Sequence, residues 1–187
     1  MRLAVNTALY ALVASLTLLD ATSAGAALPA KACDLMTQQT ATAIYGHPVA
    51  PGRYEMATVG ISDCRFDGPG GGFAEIGLMD PKGMGMTAPD MFKLSTKADP
   101  GQTVESIPGL GEAASLRKGG DDTSLFVLIH GLMMELTSDK GSASAAATKA
   151  ALIQAARHSM HKCAVFLVCL RIPALRHEPP PLSVSRK

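Results

Sequence analysis

Methionine is the most chemically distinctive residue type in this chain. Met79, Met84, Met86 and Met91 cluster around the run Gly83-Met84-Gly85-Met86. Thioethers are soft ligands that need no deprotonation, so together with imidazole they suit Cu(I). His47 and His130 could complete such a set with Met84 and Met86, and a copper-handling loop is one expectation. Against it stands the ordinary use of methionine as a filler of irregular core gaps, which demands no special geometry. A second group, His158-x-x-His161-x-Cys163, offers three ligands but lacks the fourth that a closed metal site requires.

Nucleophilic and hydrolytic chemistry finds less support. Neither G-x-S-x-G nor H-E-x-x-H occurs, and no serine stands beside a convincing histidine base. Glu75, Asp80, Glu112 and Glu135 are scattered and could meet only through the fold; alternation along strands reads them as a solvated polar face. The glycines from Gly68 to Gly72 lack the Lys-Ser/Thr and the following helix of a phosphate loop, and read as a hairpin tip. With no assembled catalytic set, the chain reads as a non-catalytic binding or interaction domain for a protein or small-molecule ligand. A copper-handling protein and an enzyme of unrecognised type are the alternatives. No cofactor is expected outside the copper reading.

The compartment comes from the first residues. Arg2 supplies a short positive region, and Leu3 to Leu19 is apolar apart from Asn6, Thr7, Ser15 and Thr17. Small residues at Ala24 and Ala26 then complete the order of an export signal, with cleavage expected after Ala26. A retained membrane anchor is the alternative, but the run falls short of the roughly 20 apolar residues a span needs. Residues 1–26 thus read as a signal peptide, and the remainder as periplasmic or secreted, without a stable membrane anchor.

In an oxidising compartment Cys33 and Cys64 are expected to pair, the alternative being two buried thiols. Closing a loop of about 30 residues would stabilise the fold by roughly 3 kcal/mol in the chain-entropy picture. Formal net charge is +1 and no basic stripe is visible, so nucleic acid is not an expected partner. Tryptophan is absent and aromatic residues make up only 4%, which removes the ring platforms that stack sugars or bases.

The elements that must position these groups follow from periodicity and punctuation. Thr37 caps a short helix closed by Gly46 and Pro48. Gly52 to Thr58 reads as a loop, Val59 to Phe66 and Phe73 to Met79 as a hairpin, and Asp80 to Met86 as a second loop. Thr87 opens a helix to about Lys97. Strands are predicted over Ala114 to Arg117, Ser124 to Ile129 and Leu132 to Thr137, and an Ala-rich helix over Ser142 to Arg157. Residues 27–157 therefore form one small α+β domain, an antiparallel sheet with two or three helices packed on one face.

After Arg157 the composition changes. His158, His161, Cys163, Cys169 and His177 crowd into a segment broken by Pro173 and by Pro179-Pro180-Pro181. Residues 158–187 are read as an atypical, poorly packed tail that could derive from a shifted reading frame. A final strand across the apolar run Cys163 to Leu170, or a second disulfide, are the alternatives.

Four short motifs recur in a telling order: Cys33-Asp34-Leu35-Met36-Thr37, Tyr45-Gly46, Cys64-Arg65-Phe66 and Gly109-Leu110-Gly111-Glu112-Ala113-Ala114. The order resembles a broad group of small bacterial secreted proteins and lipoproteins, over about Cys33 to Arg157. The resemblance implies an extracytoplasmic α+β domain with Cys33 and Cys64 paired, and no assigned activity. The chain departs from the lipoprotein members in lacking a lipid-accepting cysteine, because Lys31 stands close ahead of Cys33.

Overall fold

The structure, a computed structural model, is described for residues 31–58 and 60–171, without the side chains of 56–58 and 164–171. The expected signal peptide lies outside these residues. A four-residue helix, α1 (Ala32–Leu35), leads into α2 (Gln38–Tyr45). Thr37 caps α2 by accepting a hydrogen bond from the Thr40 amide at 3.1 Å. Gly46 ends it in the left-handed region at φ 91°, where a Cβ would also strike the Ala143 amide. Three strands follow, β1 (Arg53–Thr58), β2 (Ile61–Asp67) and β3 (Phe73–Met79), then α3 (Ala88–Ser95) capped by Thr87. The strands β4 (Thr103–Ser106), β5 (Ala113–Gly119), β6 (Asp122–Ile129) and β7 (Leu132–Asp139) precede the 27-residue helix α4 (Ala145–Arg171).

The seven strands form one antiparallel sheet in the order β1-β2-β3-β7-β6-β5-β4. The α+β class is as expected from sequence. Alternation along the strands sends Cys64, Phe66, Ile76, Leu78, Leu116, Leu125, Val127, Met134 and Leu136 to one face. There they meet Leu35 of α1, Ile44 and Tyr45 of α2, and Leu152, Ala155 and Ala156 of α4, all buried. This layer is the main core. Leu, Ile and Val dominate it, as the scarcity of aromatic residues requires.

Three expectations need correction. Not all helices share one face: α3 lies on the opposite side, where Met91 packs on Phe126 and Met133 beside Met79, Met86 and Phe92. The segment Gly52 to Thr58 is not a loop throughout, since Arg53–Thr58 pairs with β2 as an edge strand. Arg53 anchors it from the side through Asp67 at 2.9 Å rather than by burial.

The third correction concerns the tail. Packing does not stop at Arg157, because α4 runs on without a break. Ser159 is buried and donates to the Leu35 carbonyl at 3.2 Å, Lys162 donates to the Asp34 carbonyl at 3.0 Å, and Cys163 is a buried free thiol. Residues 158–163 thus belong to the domain, and the segment from Cys163 to Leu170 is helix, not strand; residues 172–187 of the expected tail lie outside the described residues. Cys33 and Cys64 are joined, with Cα atoms 5.0 Å apart, which ties α1 to β2. The amide of Ala32 adds a bond to the Ser62 hydroxyl at 3.0 Å.

Candidate functional site

The four residues of the copper expectation are not drawn together. His47 follows Gly46 at the end of the sheet where Phe73 begins β3 and Asp139 ends β7. His130 sits in the β6–β7 turn at the other end, with its amide donating to Glu112 Oε1 at 2.6 Å. The seven residues of β3 separate the two ends by roughly 23 Å at about 3.3 Å per residue. Met84 is exposed in the turn after β3, whereas Met86 packs into the small cluster beneath α3. On α4, Cys163 faces the core while His158 and His161 face solvent, so that trio does not converge either. Among the described residues no group of three or more His, Cys, Asp or Glu side chains is placed to hold a metal ion.

The scattered carboxylates divide as well. Asp80 caps the turn after β3 through the Lys82 amide, and Glu112 braces the β6–β7 turn. Glu75 and Glu135, by contrast, come onto neighbouring strands of the outer sheet face. Register places Arg65, Glu75, Thr137, Ser124 and Arg117 in one row across β2, β3, β7, β6 and β5. The adjacent row carries Asp63, Gly77, Glu135 and Phe126. Sequence reading missed Asp63, and the alternation of β2 alone could have found it.

Gly77 explains how three carboxylates fit so closely. Its backbone is ordinary extended strand, so glycine is not needed for conformation. A Cβ there would lie 2.8 Å from Asp63 Oδ1, so the missing side chain leaves a notch that the Asp63 carboxylate occupies. Glu75 lies one residue pair along the same strand, and Glu135 stands directly across from Gly77 on β7.

Hydrogen bonds and cations around the cluster are mostly committed elsewhere. Arg65 bonds Asp67 at 2.8 Å and lies 3.7 Å over the Phe73 ring. Arg117 lies 4.9 Å over Phe126 and donates to the Ser95 carbonyl at 2.9 Å, which fastens the end of α3 to the sheet. Glu135 accepts from Thr137 at 3.3 Å, and Thr137 in turn shares a 2.9 Å hydrogen bond with Ser124. Burial pushes the Glu75 carboxyl up to about 7, with the charges of Asp63 and Glu135 adding to the effect and Arg65 opposing it. Glu135 is raised too, by burial, although its hydroxyl partners and Arg117 work the other way. Burial alone raises Asp63.

Such a surface can do two things chemically. It can offer hydrogen bonds of either polarity, from hydroxyls, ionised carboxylates and protonated ones, to a partner laid across the strands. It can also take up and release protons near neutral pH. The described histidines, His47, His130, His158 and His161, all lie elsewhere, so the Ser124 and Thr137 hydroxyls have only a carboxylate beside them as a base. A separate shallow groove of about 440 Å³ runs between α2 and α4, lined by Thr40, Ala43, Ala151, Gln154 and His158, and gathers no comparable set of charged groups. No helix among the described residues is long and apolar enough to cross a membrane. Comparison with family models, with curated proteins and with solved structures finds no match to this chain.

Proposed function

We propose that the chain is an exported binding domain, working in the periplasm or outside the cell, that presents the outer face of its sheet to a protein or small-molecule partner. The observation that carries the reading is the two-row polar surface from Arg65 to Arg117. Its side chains come from five strands and are partly buried, yet among the described residues only one short helix covers this side of the sheet. Ordered, partly desolvated polar groups on a rigid scaffold are costly to hold and gain their value when a ligand completes their hydrogen bonds. Export is supported by the leader pattern and by the Cys33–Cys64 bond, which belongs to an oxidising compartment.

Two measurements test the proposal. Mass spectrometry of the product from an exporting host should find Ala27 at the N-terminus and Cys33 linked to Cys64; an intact Met1 with free thiols refutes export. For binding, the chain from Ala27 onward is immobilised and offered the exported fraction of its host. A partner should be retained by wild type and by Gln154→Lys on the far side of the domain, and lost with Glu75→Lys. Equal retention by all three, or none by wild type, refutes the outer face as the binding surface. Reproducible hydrolase turnover abolished by Glu135→Gln or Glu112→Gln would replace this reading with the enzymatic one.

A further inference from the structure

We propose that Asp63, Glu75 and Glu135 form a proton-operated switch, which discharges the outer sheet face when the surroundings turn acidic. Its place in ligand binding rests on the function proposed above, but the proton uptake itself does not. Three carboxylates from the adjacent strands β2, β3 and β7 are gathered about the notch at Gly77. Glu55 of β1 adds a fourth negative charge acting on Glu75. Among the described residues the cations that face the cluster are Arg65 from β2 and Arg117 from β5, each already engaged, with Asp67 and with the Ser95 carbonyl; Arg53 of β1, beside Arg65, is paired with Glu55 and Asp67. From β6 the neighbours are Ser124 and Phe126, which carry no charge, and α3 contributes only that carbonyl.

Like charges held this close in a partly buried site cannot all remain ionised without cost, so the cluster lowers its free energy by binding protons. Each step takes one proton from solvent onto a carboxylate oxygen and creates one O–H donor that can bond a neighbouring carboxylate. The raised positions of all three groups agree in direction. An exported domain meets external acidity without the buffering of a cell interior, which gives such a device something to sense. Between alkaline and mildly acidic conditions the face therefore loses negative charge, at Glu75 first, while Arg65 and Arg117 keep their positive charge.

The test is a carboxyl ¹³C NMR titration of the chain from Ala27 onward, between pH 4 and 9. Glu75 should titrate near 7. In Asp63→Asn its midpoint should fall by about 0.5–1 pH unit, the coupling expected of neighbouring carboxylates. Asp90→Asn, on the exposed side of α3, should leave it unmoved. A Glu75 midpoint in the ordinary glutamate range overturns the proposal. So does a raised midpoint that ignores Asp63→Asn, because burial alone would then account for it. The partner-retention experiment with Glu75→Lys bears on the binding reading only, so the two ideas fail separately.

Discussion

A chain ending at Arg157 should be markedly less stable than one ending at Arg171, although both keep every strand of the sheet. The shorter chain loses the buried Ser159 hydroxyl, its bond to the Leu35 carbonyl, and the buried Cys163 side chain. Removing the hydrogen bond and leaving a buried carbonyl unpaired costs about 1–2 kcal/mol. Exposing the surface that Cys163 and the half-buried Met160 cover costs about another 1–2 kcal/mol. The total of about 3 kcal/mol is a large share of a typical domain's stability. Urea unfolding of the two chains, both starting at Ala27 and both oxidised, measures the difference directly. At a slope of about 2 kcal/mol per molar, the midpoint should drop by about 1.5 M. Ser159→Ala in the longer chain should reproduce about half of the loss. Identical midpoints would show that the helix beyond Arg157 adds nothing, and the packing argument would be wrong.

Three further outcomes follow from the same geometry. Because folding raises the Glu75 carboxyl above its unfolded value, stability should be greatest below about pH 4.5 as far as this group is concerned, and decline as pH rises through 7. Solvent screening of a half-buried group reduces the effect to about 1–2 kcal/mol, so Glu75→Gln should be more stable than wild type by that amount at pH 8 and indistinguishable at pH 4 in denaturant melts. Replacing Cys33 and Cys64 together by Ala should cost about 3 kcal/mol of unfolding free energy under non-reducing conditions, and addition of a reductant should then leave the variant unchanged. Gly77→Ala forces the Asp63 carboxylate aside and should cost about 1 kcal/mol; in an Asp63→Ala background the same change should cost nothing, a double-mutant cycle read by thermal melts.

What could be read from sequence depended on whether an element owes its form to local chemistry or to its neighbours. Thr37 with Gly46, and Thr87 ahead of Ala88, are local signals: α2 begins and ends, and α3 begins, where those residues stand, while α3 stops at Ser95, two residues short of the expected Lys97. Phe73 to Met79 shows clean alternation and forms a strand over those residues. Arg53–Thr58 shows none, because an edge strand held by Arg53 and Asp67 has little core face to display. The exposed β4 is silent for the same reason, being held by pairing with β5 and by the Lys149–Glu105 ion pair. Past Arg157 the abrupt composition hid a pattern that continues the helix: Leu152, Ala155, Ala156, Ser159 and Cys163 fall at helical spacing, and all are buried. The carboxylate cluster is the least legible feature. Alternation could point Glu75 and Glu135 outward, but their meeting depends on β3 pairing with β7, a contact across some sixty residues that no local pattern announces.

The position of α1 governs how the domain can be attached to anything else. This single helical turn is gripped by an early strand and by the last helix, by Cys64 of β2 on one side and by Ser159 and Lys162 of α4 on the other. Lys31, just ahead of α1, and the α4 turn from Ser159 to Cys163 consequently lie together at one corner on the helical side. A surface attachment made at the exposed His161 of α4 would therefore hold the molecule by its back and leave the strand surface pointing away, open to whatever approaches.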